Sequence, residues 1–143
     1  MTEAAHISGY LKKDTRRNRV YVSQNPSDGA AEIETAWRPL ASSGGMTLLK
    51  VELITGRSHQ IRGHLASIGH PLAGDGKYGR PALNSRLKKQ YGLEHQFLHA
   101  WQLCFPELPG VLAGLGGKVL EAPLPGTLEK LLRDLHLWEA VHE

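Results

Sequence analysis

The first third of the chain alternates. Residues 6–12 and 19–23 place apolar and polar side chains at a period of two on either side of a charged turn at 12–18, the pattern of a β-hairpin. Residues 24–29 carry Asn-Pro and Asp-Gly, both loop signals. Residues 32–38 alternate again and 42–45 turn. Residues 46–54 give the strongest strand, with Leu48, Lys50, Glu52 and Ile54 on one face. This part reads as an antiparallel meander with short turns.

The period then changes. Ile61, Leu65 and Ile68 fall at i, i+4 and i+7 and make one helical stripe. Ser58 stands where an N-cap belongs, Gly69 suits the left-handed position after the helix, and Pro71 stops it. The spacing predicts a helix over 58–68, followed by a glycine-rich loop over 71–79. A short basic helix is predicted over 84–90, a strand over 97–105 ending at Pro106, and another over 118–121. A last helix spans 127–137, with Leu128, Leu131, Leu132, Leu135 and Trp138 as its apolar stripe. Strands followed by helices, without regular alternation, predict an α+β fold. It has a largely antiparallel or mixed sheet and a few helices, in a single domain over 1–143.

Composition narrows the class. With 41% hydrophobic and 22% charged residues in 143, the chain is an ordinary globular sequence, not collagen, coiled coil or a disordered polymer. The glycine-rich apolar run at 111–117 is too short to span a bilayer, and the N-terminus carries no basic-then-apolar leader. Cys104 stands alone between Leu103 and Phe105. It excludes an internal disulfide, fits a reducing cytoplasm and reads as core. Trp37, Trp101 and Trp138 read as packing residues. Charge is unevenly spread: residues 1–90 hold 14 Lys+Arg against 7 Asp+Glu, and residues 91–143 hold 3 against 7. A basic majority joined to an acidic tail points to a face that meets an anion, with nucleic acid the natural polyanion.

Candidate chemistry concentrates at 54–71, where a strand end, a glycine turn and a helix start follow within a few residues. Free N–H groups at a helix start, with Arg57, Ser58 and His59 beside them and Arg62 one turn in, suit a phosphate or carboxylate. A capped amphipathic helix with solvated arginines is the plainer alternative. His59 and His64 are five apart, and His95 and His99 have no cysteine or acidic cluster near them, so no zinc set is formed. The clusters Lys12-Lys13, Arg16-Arg17-Arg19 and Arg86-Lys88-Lys89 are either solvated faces or contacts to an RNA backbone.

Thr55-Gly-Arg-Ser-His-Gln-Ile-Arg62, continuing through His64, Gly69-His-Pro71, Gly74-Asp75 and Tyr78-Gly79, resembles the third conserved motif of the RluA-type RNA pseudouridine synthases. Leu98-His-Ala100 with Phe105-Pro106, Glu121-Ala-Pro123 with Pro125, and Gly9-Tyr-Leu-Lys-Lys-Asp14 resemble neighbouring stretches of that family. The likeness runs over roughly residues 7–125. It implies isomerisation of uridine to pseudouridine in structured RNA, ribosomal or transfer. No cofactor or metal is needed, and the target base is flipped from its stack. In the family an aspartate acts on the nucleotide, the glycosidic bond breaks, and the uracil turns and rejoins through carbon 5. The motif's second arginine pairs with that aspartate. This role falls on Arg62, with Ile61 packing near the site; a planar guanidinium gives a carboxylate two parallel hydrogen bonds.

The resemblance also exposes an absence. The family's HRLD-x-x-TSG stretch, which holds the catalytic aspartate, and its tyrosine motif do not occur in this sequence. Asp14, Asp28, Asp75 and Asp134 lie in other contexts, and Asp75 reads as a structural turn residue. The chain therefore looks like the C-terminal part of a synthase catalytic domain, inactive alone. Its Arg62 is expected to await a carboxylate that the polypeptide does not contain. Self-association is expected through the face that the missing half would cover. The alternative is an RNA-binding module that has lost catalysis. Gly63 departs from the bulky residue usual in the family and costs the helix about 1 kcal/mol relative to alanine.

Overall fold

Alternation at 5–14 and 19–23 does produce a hairpin. In the computed structural model, which describes residues 3–107, 110, 114 and 116–141, β1 (Ala5–Asp14) pairs antiparallel with β2 (Arg19–Ser23), Lys12 opposite Tyr21. Asp14 closes the turn by accepting the backbone N–H groups of Arg16 and Arg17. β3 (Ala31–Ser43) and β4 (Met46–Leu53) form the second hairpin, turning at Gly44 and Gly45, both at positive φ. Pro39 lacks an N–H for the ladder, and the register shifts between Pro39 and Ala41.

The strand order is β2-β1-β3-β4, not that of a meander. The loop at 24–30 carries the chain from β2 across to the other edge of β1, where β3 pairs through Gly9 opposite Ile33. α1 (Gln60–Ser67) lies over the β2 end of this sheet. Its end follows the sequence. Gly69, at φ 85°, donates to the carbonyl of Ala66 and His70 to that of Leu65, a Schellman closure.

Its start and its buried face do not follow the sequence. The residue before the helix is His59, in a left-handed conformation at φ 53°, and no side chain caps the turn; Ser58 is exposed. Gln60 makes the turn instead, its Oε1 accepting the Arg57 N–H and its own N–H reaching the Arg57 carbonyl. The face turned to the sheet is Gln60, Gly63, His64 and Leu65, while Ile61 is half-buried and Ile68 exposed. Gly63 sits under Val20: a Cβ there would come within 2.7 Å of the Val20 Cγ2 atom.

A second core lies under α2 (Pro81–Tyr91) and α3 (Gly126–Asp134). Leu87, Leu93, Leu128, Leu131, Leu132, Leu135 and Leu137 are buried together, with Ala41, Met46 and Leu48 of β3 and β4 packed against them. α2 starts earlier than its polar pattern predicts, because Pro81 opens it. Trp138 begins a short 3₁₀ turn, Trp138–Val141. The predicted strand at 97–105 shrinks to β5 (Gln102–Cys104), paired with β6 (Val119–Glu121) as a separate two-stranded ribbon. Phe97 is diverted to the leucine core, and its N–H bonds the Ala73 carbonyl. Cys104 is exposed on that ribbon, contrary to the core reading. The run at 111–117 lies mostly outside the described residues. Among the described residues no helix is long and apolar enough to cross a membrane.

Candidate functional site

α1 is seated by hydrogen bonds as much as by apolar contact. Gln60, almost fully buried, uses every bonding direction of its amide. Nε2 donates to the Glu34 carbonyl (2.8 Å) and to Thr35 Oγ1 (3.0 Å), and Oε1 accepts from Thr55 Oγ1 (2.9 Å) and the Arg57 N–H (3.0 Å). Thr35 Oγ1 meets His64 Nδ1 at 2.9 Å. A hydroxyl oxygen can accept twice, so the Thr35–His64 bond runs in either direction, and the other ring nitrogen of His64 is Nε2. That atom is buried without a hydrogen-bond partner. Burial holds the His64 pKa below the usual histidine value, with the Ser8 backbone pulling the other way. The site's helix is thereby fixed in rotation by β3.

The opposite side of α1 presents Arg62. Its Nε donates to Asp75 Oδ2 at 2.8 Å and its Nη2 to Asp75 Oδ1 at 2.9 Å, a two-bond pair with a carboxylate that is wholly buried. The expectation that no acid of this chain partners Arg62 is therefore corrected: Asp75 does. Oδ1 also accepts the backbone N–H groups of Lys77 (2.9 Å) and Tyr78 (3.1 Å). Burial alone would raise the Asp75 pKa, but the Arg62 bonds and these two N–H groups outweigh it and keep the carboxyl below its ordinary range. The same pair raises the Arg62 pKa further.

Tyr78 is the hub. Its hydroxyl accepts the Val20 N–H at 2.8 Å and meets His59 Nδ1 at 3.0 Å. Its ring packs edge-on with His59, and the guanidinium carbons of Arg19 and Arg62 stand 4.7 and 5.1 Å from its centroid. Arg19 Nη1 donates to the Lys77 carbonyl at 2.6 Å, and Lys77 Nζ returns a bond to the Asn18 carbonyl. The result is a patch in which Arg19, His59, Arg62 and Lys77 gather around one buried carboxylate. Partial burial, then the positive fields of Arg62, Lys77 and Lys13, hold the His59 pKa below its usual value. Positive charge in excess, next to a helix start, suits an anion.

The predicted residues divide accordingly. Arg62, His59 and Arg19 meet at this patch, Lys13 lies within electrostatic reach of it, and Ile61 is half-buried next to Arg62 on α1. Arg57 and Ser58 are exposed on the turn before α1. Lys12, Arg16 and Arg17 are exposed at the β1–β2 turn, while Arg86, Lys88 and Lys89 are exposed on α2, where Lys88 faces Glu94 at 3.9 Å. The sequence reading missed Tyr78, Lys77 and the active part played by Asp75. The Gly-Asp and Tyr-Gly pairs of the motif were the available signals. Among the described residues no group of His, Cys, Asp and Glu is placed to hold a metal ion.

The family model described as RNA pseudouridylate synthase matches residues 1–67, a span that includes Arg62 but neither Asp75 nor Tyr78. The chain is 43% identical over 143 aligned positions to "Ribosomal large subunit pseudouridine synthase D" of Nitrosomonas europaea, covering 90% of this chain and 39% of that protein. It is 43% identical over 133 positions to "Ribosomal large subunit pseudouridine synthase C" of Haemophilus ducreyi, covering 93% and 38%. The chain thus spans about two-fifths of the length of these curated relatives. Its fold is shared with the solved structure "Human RNA Pseudouridylate Synthase Domain Containing 4", at a TM-score of 0.67 and 24% identity, over 94% of this chain and 57% of that one.

Proposed function

The chain belongs to the RluA-type RNA pseudouridine synthase family, and from that premise we propose that it works as the C-terminal part of a synthase catalytic domain, acting on uridine in ribosomal RNA. The observation that carries this reading is the state of Arg62. It stands on the α1 side away from β3, its charge held by a buried carboxylate, in a patch of excess positive charge. In the proposed reaction Arg62 steadies the nucleophilic aspartate, which this sequence lacks. Ile61 walls the site. Lys12, Lys13, Arg16 and Arg17 at the hairpin end, with Arg57, Ser58 and His59 at the helix start, hold RNA phosphates. The Arg86, Lys88 and Lys89 face of α2 adds a more distant phosphate contact.

The test is direct. RNA labelled with tritium at uridine carbon 5 releases tritium only when the uracil is rejoined through that carbon. The chain alone is expected to bind RNA with a steep salt dependence and to release none. Release by the chain alone overturns the reading, and so does absence of RNA binding at low salt. Reversing charge at Lys12, Lys13, Arg16 and Arg17 is expected to abolish binding. Self-association is supported by the ribbon. Leu103 and Leu120 face each other across it, as do Cys104 and Val119, and all four are exposed. Sedimentation that stays monomeric at high concentration would remove that part.

A further inference from the structure

A guanidinium offers carboxylates two edges: a side edge, Nε with Nη2, and an end edge, Nη1 with Nη2. In Arg62 the side edge is fully taken by Asp75. Nη1 has no partner among the described residues. It is also not one of the buried polar atoms left unsatisfied, which are Trp37 Nε1 and His64 Nε2, so it reaches solvent. The Asp75 side of the pair is held by more than the arginine requires. The Asp75 carbonyl accepts from Asn84 Nδ2 (2.8 Å) and from the Gly79 N–H (3.0 Å), and the carboxylate takes two backbone N–H groups of its own turn. A Cβ at Gly79 would stand 2.2 Å from the Asp75 carbonyl oxygen, and one at Gly74 2.2 Å from the His95 carbonyl oxygen. Only glycine permits this turn, and the turn fixes where the carboxylate stands.

We propose that Asp75 is a positioning residue: it occupies the side edge of Arg62 and so leaves the end edge, at Nη1, as the one a second carboxylate must use. The inference rests on the role given above to Arg62 and adds the residue that aims it. Without Asp75 an incoming carboxylate would take the side edge, and the guanidinium would turn to follow it. With Asp75 in place the pair is already neutral. The attraction for a second anion then comes from the surrounding Arg19, Lys77 and Lys13, and its direction comes from the geometry.

The test uses the whole chain and acetate as the carboxylate probe, titrated against chloride at equal ionic strength. Nitrogen-15 NMR follows the Arg62 Nε–H and Nη–H signals, identified by their loss in Arg62→Lys. In the wild type, acetate is expected to shift the Nη signals while Nε–H stays in place and exchanges slowly. In Asp75→Asn, acetate is expected to shift Nε–H instead. A wild-type Nε–H that moves together with the Nη signals overturns the proposal, because the side edge is then not held. No Nη shift overturns it as well, because the end edge is then closed. Should Asp75→Asn fail to fold, the wild-type titration decides by itself. RNA binding is scored separately: its absence with the acetate pattern intact removes the synthase reading and leaves the two-edge geometry standing.

Discussion

The two cores of this molecule hold their helices in different ways. Under α2 and α3 the contact is leucine on leucine, seven buried side chains without a polar atom among them. Under α1 the buried residues include Gln60, His64 and Thr35, tied into one hydrogen-bonded chain with β3. An apolar core supplies burial free energy but tolerates sliding and repacking of similar volumes. A hydrogen-bonded polar network supplies less net free energy, since its bonds replace bonds to water, yet it admits only one rotation of the helix. The helix that carries Arg62 is the one held in the second way. Position matters most where a charge must be aimed.

The largest effect that separates the two regions is expected at Asp75. Its carboxylate is wholly buried, and removing one partner of a buried pair leaves an uncompensated charge. Asp75→Ala is therefore expected to cost about 3–5 kcal/mol in denaturant unfolding. A loss below about 1 kcal/mol would mean that the pair behaves as an exposed one, and the distinction between the regions would fail. In the leucine core, Leu132→Ala is expected to cost about 2–5 kcal/mol through lost burial and the cavity left behind. The RNA contacts at the β1–β2 turn and at the start of α1 should be unaffected in the folded fraction, because they do not rest on the leucine core.

The regions also differ in their response to acid. His64 and His59 both have pKa values lowered by burial, so each is neutral in the fold near pH 7. Below the unfolded value of about 6.5 the unfolded chain takes up protons that the fold resists. Their contribution is thus fully present above about pH 6.5 and is lost as pH falls through the lowered folded values. Asp75, also lowered, adds a second loss at still lower pH, below the ordinary aspartate range. Thermal melts from neutral to mildly acidic pH should show falling stability, and His64→Gln should flatten the upper part of that slope. A slope unchanged in the variant would remove His64 as its source.

What the sequence made legible was local. The β1–β2 hairpin follows from alternation around a charged turn, the end of α1 from Gly69 and Pro71, and the α3 stripe from leucines at helical spacing. The buried face of α1 was not legible. Apolar periodicity selects Ile61, Leu65 and Ile68, whereas the face actually buried is chosen by Thr35, 25 residues before Gln60, whose hydroxyl can satisfy both Gln60 and His64. The Arg62 partner lies 13 residues on, beyond a turn whose shape depends on two glycines meeting backbone carbonyls. The strand order was hidden too, since both hairpins are compatible with β3 on either side of the first. The motif resemblance singled out Arg62 but did not show that Asp75 answers it here.

The smallest of the expected effects is at Gly63, where the two levels of description oppose each other. As a residue in a helix it is a cost of about 1 kcal/mol, and Gly63→Ala should recover that amount if propensity alone decides. In the fold its missing Cβ is the space into which Val20 fits, at 2.7 Å from where that atom would stand. Valine is branched at Cβ and stiff about χ1, so it cannot swing its methyl aside without leaving its rotamer. Overpacking of this kind costs about 1–3 kcal/mol. The net for Gly63→Ala is therefore destabilisation by about 0–2 kcal/mol, where an isolated helix would be stabilised. Val20→Ala beside it should relieve the clash, so that the double variant is more stable than the sum of the singles predicts. Additivity in that cycle would show that α1 does not press on β2 as closely as the polar network holds it, and would weaken the claim that this helix has only one seat.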